Sequence, residues 1–491
     1  MILRTLPLAI LALAPSVQAQ QAEADAKTYL DRIAALDDAG PQLNAVISIN
    51  SGAPAQARTA EAAGLLLEGR TVLVKDNIET RELPTTAGSL ALANNRTGRD
   101  APMIAKLRAA GGVVLGKANL SEWANIRSEN SSSGWSAVGG LVRNPHATDR
   151  NACGSSSGSG AAVAANLAWA AIGTETNGSI TCPASINGVV GFKPSVGLVS
   201  RTHVVPISST QDTAGPMARS VADAALLLSA IAGEDAADSA TQGVPRRADY
   251  HTGLVDFSLQ GVRIGVLRNQ IGNRQDVKDV FETALADLEA AGAQLVDIEF
   301  DLNTEVYGTS FTVLMFELRE EMGKYLASLP GNDQPRTLAD LIAFNTANAE
   351  AEMRWFGQHL FELAETTTDR DAYEAARATA LRIAGEETLD KLLGDNGVRF
   401  LVAPTRGPAW TTDLVNGDNY NGSIGFGTPS AVAGYPHLTV PMGAIEGLPV
   451  GISIFGAKWA DFEVLQLGAA YERARSATLP EPSFKPWTPT E

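Results

Sequence analysis

Cysteine is scarce: two residues in 491 cannot scaffold a chain of this length, so stability has to come from an ordinary core, for which 45% hydrophobic residues suffice. Histidine is almost as rare. The five histidines are scattered, and neither Cys-x-x-Cys nor His-Glu-x-x-His occurs, which removes the common metal centres, and no cofactor is expected. No G-x-x-x-x-G-K-[ST] loop is present to cradle nucleotide phosphates. Cationic excess is missing as well: 38 Lys and Arg stand against 55 Asp and Glu, a net charge of −17, so neither nucleic acid nor anionic lipid is an expected partner. Beyond the N-terminus there is no run of about 18 uncharged apolar residues, so no membrane span is expected.

The N-terminus is different in character. Arg4 precedes an apolar stretch from Leu6 to Ala14, and Val17-Gln18-Ala19 offers a small-residue cleavage site before Gln20. This is the pattern of a cleavable export signal over residues 1–19, implying a periplasmic or secreted protein. Alternating elements follow. Residues 71–77, a helical stretch from Pro102 to Ala110 and VVLGKAN at 113–119 read as strand, helix, strand. VRIGVL at 262–267, a helix facing inward through Val277, Val280, Phe281, Ala284, Leu285 and Leu288, and QLVDIEF at 294–300 read the same way. The expected class is α/β, with a central sheet covered by helices. Residues 335–395, rich in Ala, Leu and Glu, predict several helices forming an insertion or lid, and 416–427 reads as a loop.

Three separated segments carry chemistry: Lys75 in TVLVKDN, Ser155 in CGSSSGSG and Ser179 in GTETNGSITCP. A serine hydroxyl needs a base within hydrogen-bond reach and donors aimed at the developing oxyanion. Lysine serves as that base only when neutral, and burial on an apolar strand is the route available to Lys75. Asp76 is adjacent but points to the opposite face of such a strand, so it need not pair with Lys75.

Ser155 lies 24 residues before Ser179 and Lys75 lies 104 before it. With that spacing, and with GKANLSEWA at 116–124, GFKPSVGLVS at 191–200, QDTAGPMARSVADA at 211–224 and GYPHLTVPMG at 434–443 following in order, the chain resembles the amidase signature family over roughly residues 25–475. The resemblance implies one large domain, residues 20–491, with a mixed central sheet. It implies Ser179 as nucleophile, Ser155 as a relay following a cis peptide bond, Lys75 as base, and an oxyanion hole from the backbone of Thr176, Asn177, Gly178 and Ser179. Asn177 stands where a glycine is more usual. Thr181 replaces the arginine that members often carry after the G-S-I segment, which argues against a small anionic substrate. CGSSSGSG, GSITCPASINGVVGFKP, LADLIAFN and LVAPTRGPAW are most similar to bacterial peptide amidases. That implies hydrolysis of the C-terminal amide of peptides to the free acid and ammonia, not cleavage of internal peptide bonds, by a monomer or weak homodimer. Cys153 and Cys182 flank the two serines and should sit near the site; they could pair, but two small buried thiols are the expectation, because a bridge needs Cα atoms within about 7 Å. Trp410, Tyr420 and Phe426 are candidates to line a pocket.

Other readings stay open. Gly154-Ser155-Ser156-Ser157-Gly158 also fits a G-x-S-x-G elbow, which would make Ser156 the nucleophile with His437 and an acid such as Asp413, but no strand precedes it. A broad aryl, aliphatic or carbamate hydrolase is the alternative substrate class. An exported solute-binding protein shares size and composition but needs no reactive serine, and an amidotransferase component would need partners and no export signal.

Overall fold

The computed structural model describes residues 21–331 and 334–489; the export signal read at residues 1–19 lies outside them. Thirteen strands follow in chain order: β1 Val46–Ile49, β2 Thr71–Lys75, β3 Val113–Ala118, β4 Trp135–Ser136, β5 Gly140–Leu141, β6 Ala170–Glu175, β7 Val190–Lys193, β8 Thr213–Ala218, β9 Arg263–Leu267, β10 Gln294–Ile298, β11 Phe400–Pro404, β12 His437–Ile445 and β13 Leu448–Phe455. Eleven of them make one sheet in the order β1-β3-β2-β6-β8-β7-β12-β13-β11-β9-β10, while β4 and β5 pair separately. The sheet is mixed. Strands β3, β2 and β6 run parallel, as do β11, β9 and β10, and the pairs between β6 and β11 are antiparallel. Both expected strand-helix-strand units are present, around helices Pro102–Ala109 and Gln275–Ala290.

Alternation along each strand supplies two apolar faces. Val72 and Val74 belong to a core packed under helices Pro102–Ala109, Val221–Ile231, Gln275–Ala290 and Asp461–Ala474, whereas Leu73 joins the opposite core, under Gln21–Leu36, Ala53–Ala62 and Ser157–Ala164. Lys75 ends β2 on the side of Leu73, so its side chain runs toward the Ser157–Ala164 helix rather than to solvent. That helix is built of Ser, Gly, Ala and Val, and lies hard against the chain below it. A Cβ on Gly158 would fall 2.3 Å from the Ala45 carbonyl oxygen and 2.5 Å from that of Asn119, so nothing larger than glycine fits.

Residues 335–395 are helical as expected, from Leu338–Ala347 to Lys391–Asp395, and include a π-helical segment at Arg382–Asp390. They split between two places. Leu338, Leu341, Leu360 and Phe361 pack with Leu318 and Met322 of the long helix Glu305–Ser328, while Ile383, Ala384 and Leu389 pack with Leu401, Ala433 and Phe455 at the far half of the sheet.

Candidate active site

The site forms at the C-terminal ends of β2 and β6, parallel neighbours that bring Lys75 against Thr174, and the chain after each strand turns away. Lys75 is fully buried. Its Nζ lies 2.8 Å from Ser155 Oγ, 2.8 Å from Thr174 Oγ1 and 3.2 Å from the Thr174 carbonyl oxygen. A neutral amine has two N–H groups, which the Thr174 oxygens can accept, and one lone pair, which is then left facing the Ser155 hydroxyl. Desolvation pulls the Lys75 pKa down to about 7, against the opposing fields of Asp212 and Glu175. Asp76 does point away, pairing at 3.0 Å with buried Lys117 and accepting the N–H of Thr86 at 3.1 Å. The neighbouring carboxylate is thereby occupied elsewhere, and Lys75 is left free to lose its proton.

The peptide bond Gly154–Ser155 is cis, as the resemblance implied. Ser155 is held from both sides: Ser121 N–H donates to its carbonyl at 3.0 Å, and the next residue, Ser156, donates its N–H to the carbonyl of Ser179 at 3.1 Å. This last bond ties the relay segment to the turn carrying Ser179. The Ser156 hydroxyl itself donates to the Thr174 carbonyl at 3.1 Å and accepts from the Thr174 N–H at 3.2 Å, fully buried. That geometry excludes the elbow reading. His437 is equally remote from such a role, buried on β12 with Nε2 2.7 Å from Ser453 Oγ.

After β6 the chain turns through Thr176, Asn177, Gly178 (φ +86°) and Ser179 into helix Thr181–Ile186. Glu175 fixes the turn, its Oε2 accepting from Ile180 N–H at 2.8 Å and Thr181 N–H at 3.1 Å. Thr176 Oγ1 donates to Asp212 at 2.5 Å, and Asp212 also accepts the N–H groups of Ile207 and Ser208. Burial raises the Asp212 pKa from its ordinary range. Thr176, Asn177, Gly178 and Ser179 line one side of an open cavity of about 490 Å³ together with Cys153 and Gly154. Trp410, Tyr420 and Asp418 line it as well, with Leu314 from the helix Glu305–Ser328 and Leu360 from the region 335–395. Phe426 instead lines a smaller adjoining cavity of about 200 Å³ and packs edge-on against Phe300 and Phe455.

Cys153 and Cys182 are not free thiols. They form a disulfide in the cavity wall, with Cα atoms 6.1 Å apart. The expectation of two thiols fails because each cysteine is carried to the site by its serine: Cys153 by the turn before Ser155, Cys182 by the helix after Ser179. Sequence reasoning also missed Thr174, Glu175 and Asp212, although Thr174 and Glu175 sit in the same short text as Ser179.

The fold and this site define an amidase. The chain matches the family described as Amidase over residues 26–465 and belongs to it; it is a hydrolase of amide C–N bonds. It is similar to the crystal structure of native peptide amidase from Stenotrophomonas maltophilia, with 46% identity, a TM-score of 0.88, and coverage of 94% of this chain and 95% of that one. Among curated relatives, a probable amidase of Arabidopsis thaliana is 36% identical over 93% of this chain and 87% of its own length. A putative amidase of Arthroderma benhamiae is 35% identical over 92% of this chain and 78% of its own length.

Proposed function

We propose that the protein is an exported peptide amidase, converting the C-terminal amide of a peptide to the free acid and ammonia. The observation that carries the chemistry is the buried contact of Lys75 Nζ with Ser155 Oγ, in a chain whose Ser155 segment is hydrogen-bonded to the Ser179 turn. Ser179 Oγ attacks the amide carbonyl carbon while its proton passes to Ser155 Oγ and the Ser155 proton passes to Lys75 Nζ. Negative charge then develops on the substrate oxygen, against the backbone N–H groups from Thr176 to Ser179. The relay runs backwards to protonate the leaving nitrogen, the C–N bond breaks, and ammonia departs from an acyl-enzyme. Water, deprotonated through the same relay, hydrolyses the ester and restores Ser179.

The peptide end of the reading rests on the likeness to the Stenotrophomonas peptide amidase and on a cavity of about 490 Å³, roomy enough for several residues of chain. Export rests on the leader at residues 1–19, and the Cys153–Cys182 bridge accords with an oxidising compartment.

The test is ammonia release from a C-terminally amidated dipeptide, beside an aryl amide and an internal peptide bond. Selective turnover of the amidated dipeptide is expected, with Ser179→Ala reducing kcat by at least about 10³-fold. Faster turnover of the aryl amide would move the substrate to the broad-amidase class. Absence of turnover on any amide would end the hydrolase reading of this site.

A further inference from the structure

Thr181 leaves the start of the helix after Ser179 without a cation, yet the structure supplies one from elsewhere in the chain. Arg406 follows β11 in the segment Thr405-Arg406-Gly407-Pro408 and is half-buried at the boundary between the larger cavity and the smaller one, lining both. A carbon placed at the Cβ position of Gly178 would stand 3.9 Å from Arg406 Nη2, which puts the guanidinium beside the turn that faces the reacting carbonyl. The guanidinium lies over the Tyr420 ring, 4.7 Å from its centroid. Among the described residues it makes no ion pair and no side-chain hydrogen bond.

The other charges lining the larger cavity are committed. Asp418 accepts from Ser133 N–H at 3.1 Å, Trp410 Nε1 at 3.3 Å and Asn151 Nδ2 at 3.4 Å, so its carboxylate is turned into the wall. Glu129 is at the exposed rim, 3.5 Å from His359 Nε2. An arginine fork held on an aromatic face, with its donors unfilled in a partly desolvated cleft, is a carboxylate receptor. In a protein of net charge −17 its neutralisation by one of the many surface acids would have been easy, and the fold does not bring one to it.

We propose that Arg406 is a specificity-determining residue that receives a carboxylate on the acyl side of the substrate, so that the preferred amides end in an acidic residue, Asp-NH2 or Glu-NH2. This deepens the peptide-amidase reading and rests on it. The Nη2 atom stands 3.9 Å from where a Cβ on Gly178 would be, so the fork flanks the turn that carries Ser179. The cation missing at position 181 is therefore restored by a segment more than 200 residues later.

The experiment compares kcat/KM for two acetylated dipeptide amides, one ending in Glu-NH2 and one in Leu-NH2, in the wild type, Arg406→Met and Arg406→Lys. One desolvated charge-assisted pair corresponds to about 10- to 100-fold. The expected result is a preference for Glu-NH2 that falls by at least tenfold in Arg406→Met, chiefly through KM. Arg406→Lys should keep part of it, and added salt should erode it in the wild type. The wild-type salt response gives a reading even where a variant fails to fold. Turnover of both amides with a Glu-to-Leu ratio that ignores both salt and Arg406 overturns the carboxylate assignment and leaves the peptide-amidase reading standing. No turnover of either overturns both.

Discussion

At the scale of single residues, the decisive quantity is the proton on Lys75. With the folded pKa drawn down to about 7, the amine is neutral above that value and protonated below it. We expect kcat/KM to rise with pH and level off, with an apparent pKa near 7, and Lys75→Met to lose at least about 10³-fold in activity. The same shift has a stability consequence of defined sign. Below pH 7 the folded chain carries a buried ammonium that the unfolded chain would rather solvate, and the full cost, about 4–5 kcal/mol, applies there. Between about pH 7 and the ordinary lysine value near 10 the unfolded state binds the extra proton, so stability rises with pH and the cost disappears. Lys75→Met should therefore melt a few degrees higher than the wild type at pH 7, by an amount that shrinks toward pH 10. A Lys75→Met protein with a lower melting temperature at neutral pH would contradict this account of the burial. Thr174→Val removes the Oγ1 that receives both Lys75 Nζ and Asn77 Nδ2, the latter at 3.0 Å. The lone pair then loses its aim, and kcat should fall roughly 10- to 100-fold while KM moves little.

At the scale of elements, the site is a junction of three short pieces of chain, held in register by Glu175, by the Ser156–Ser179 backbone bond and by the Cys153–Cys182 bridge. The bridge closes a loop of 29 residues. Loop-closure entropy for that length is worth about 3–4 kcal/mol in the unfolded chain. Reduction, or Cys153→Ala with Cys182→Ala, is expected to lower the melting temperature and to reduce kcat more than a remote destabilising change does, because the closed loop carries both Ser155 and Ser179. Equal activity of the oxidised and reduced enzyme at a temperature where both are folded would remove the bridge from the positioning of the site. The strand-helix-strand units were legible in sequence because hydrophobic period and turn residues are local signals: Val277, Phe281, Ala284, Leu285 and Leu288 lie on one face and are buried together. The long helix Glu305–Ser328 carried no comparable signal, since its buried apolar positions are interrupted by Ser310 and Glu317, which tertiary contacts bury.

At the scale of the whole molecule, the first part of the helical region 335–395 borders the cavity through Leu360 and packs on the long helix Glu305–Ser328. Its attachment runs through charge in the core. Arg127 and Glu122, both fully buried, meet at 3.1 Å, and Arg127 lies 4.4 Å from the centroid of the Phe356 ring. Glu352 of the insertion accepts from Leu90 N–H at 2.6 Å and from Ser89 Oγ at 3.0 Å. The Arg127 carbonyl accepts Leu360 N–H at 3.2 Å, and Ser128 to Ser131, which follow it, line the cavity. Removing one partner of such a pair leaves a buried charge uncompensated, at a cost of about 3–5 kcal/mol. Arg127→Ala is expected to open the insertion to limited proteolysis within 335–395 and to relax discrimination between small and bulky amides. A variant that resists protease like the wild type would show that the ion pair is not what holds the insertion.

The amino-acid sequence by itself determined the α/β class and the two parallel units, because these depend on periods of two and 3.6 read within a few residues, and it pointed to Lys75, Ser155 and Ser179 through motifs similar to those of the amidase family. It also placed Asp76 on the face opposite Lys75, which strand alternation requires. The tertiary structure decided what depends on segments far apart meeting: Lys117 neutralising Asp76, Thr174 aiming the Lys75 lone pair, Cys153 reaching Cys182, and Arg406 arriving beside Gly178. None of these pairs has a local signature. Each is fixed by the strand order of the sheet, which brings the C-terminal ends of β2 and β6 together and folds the loop after β11 over them.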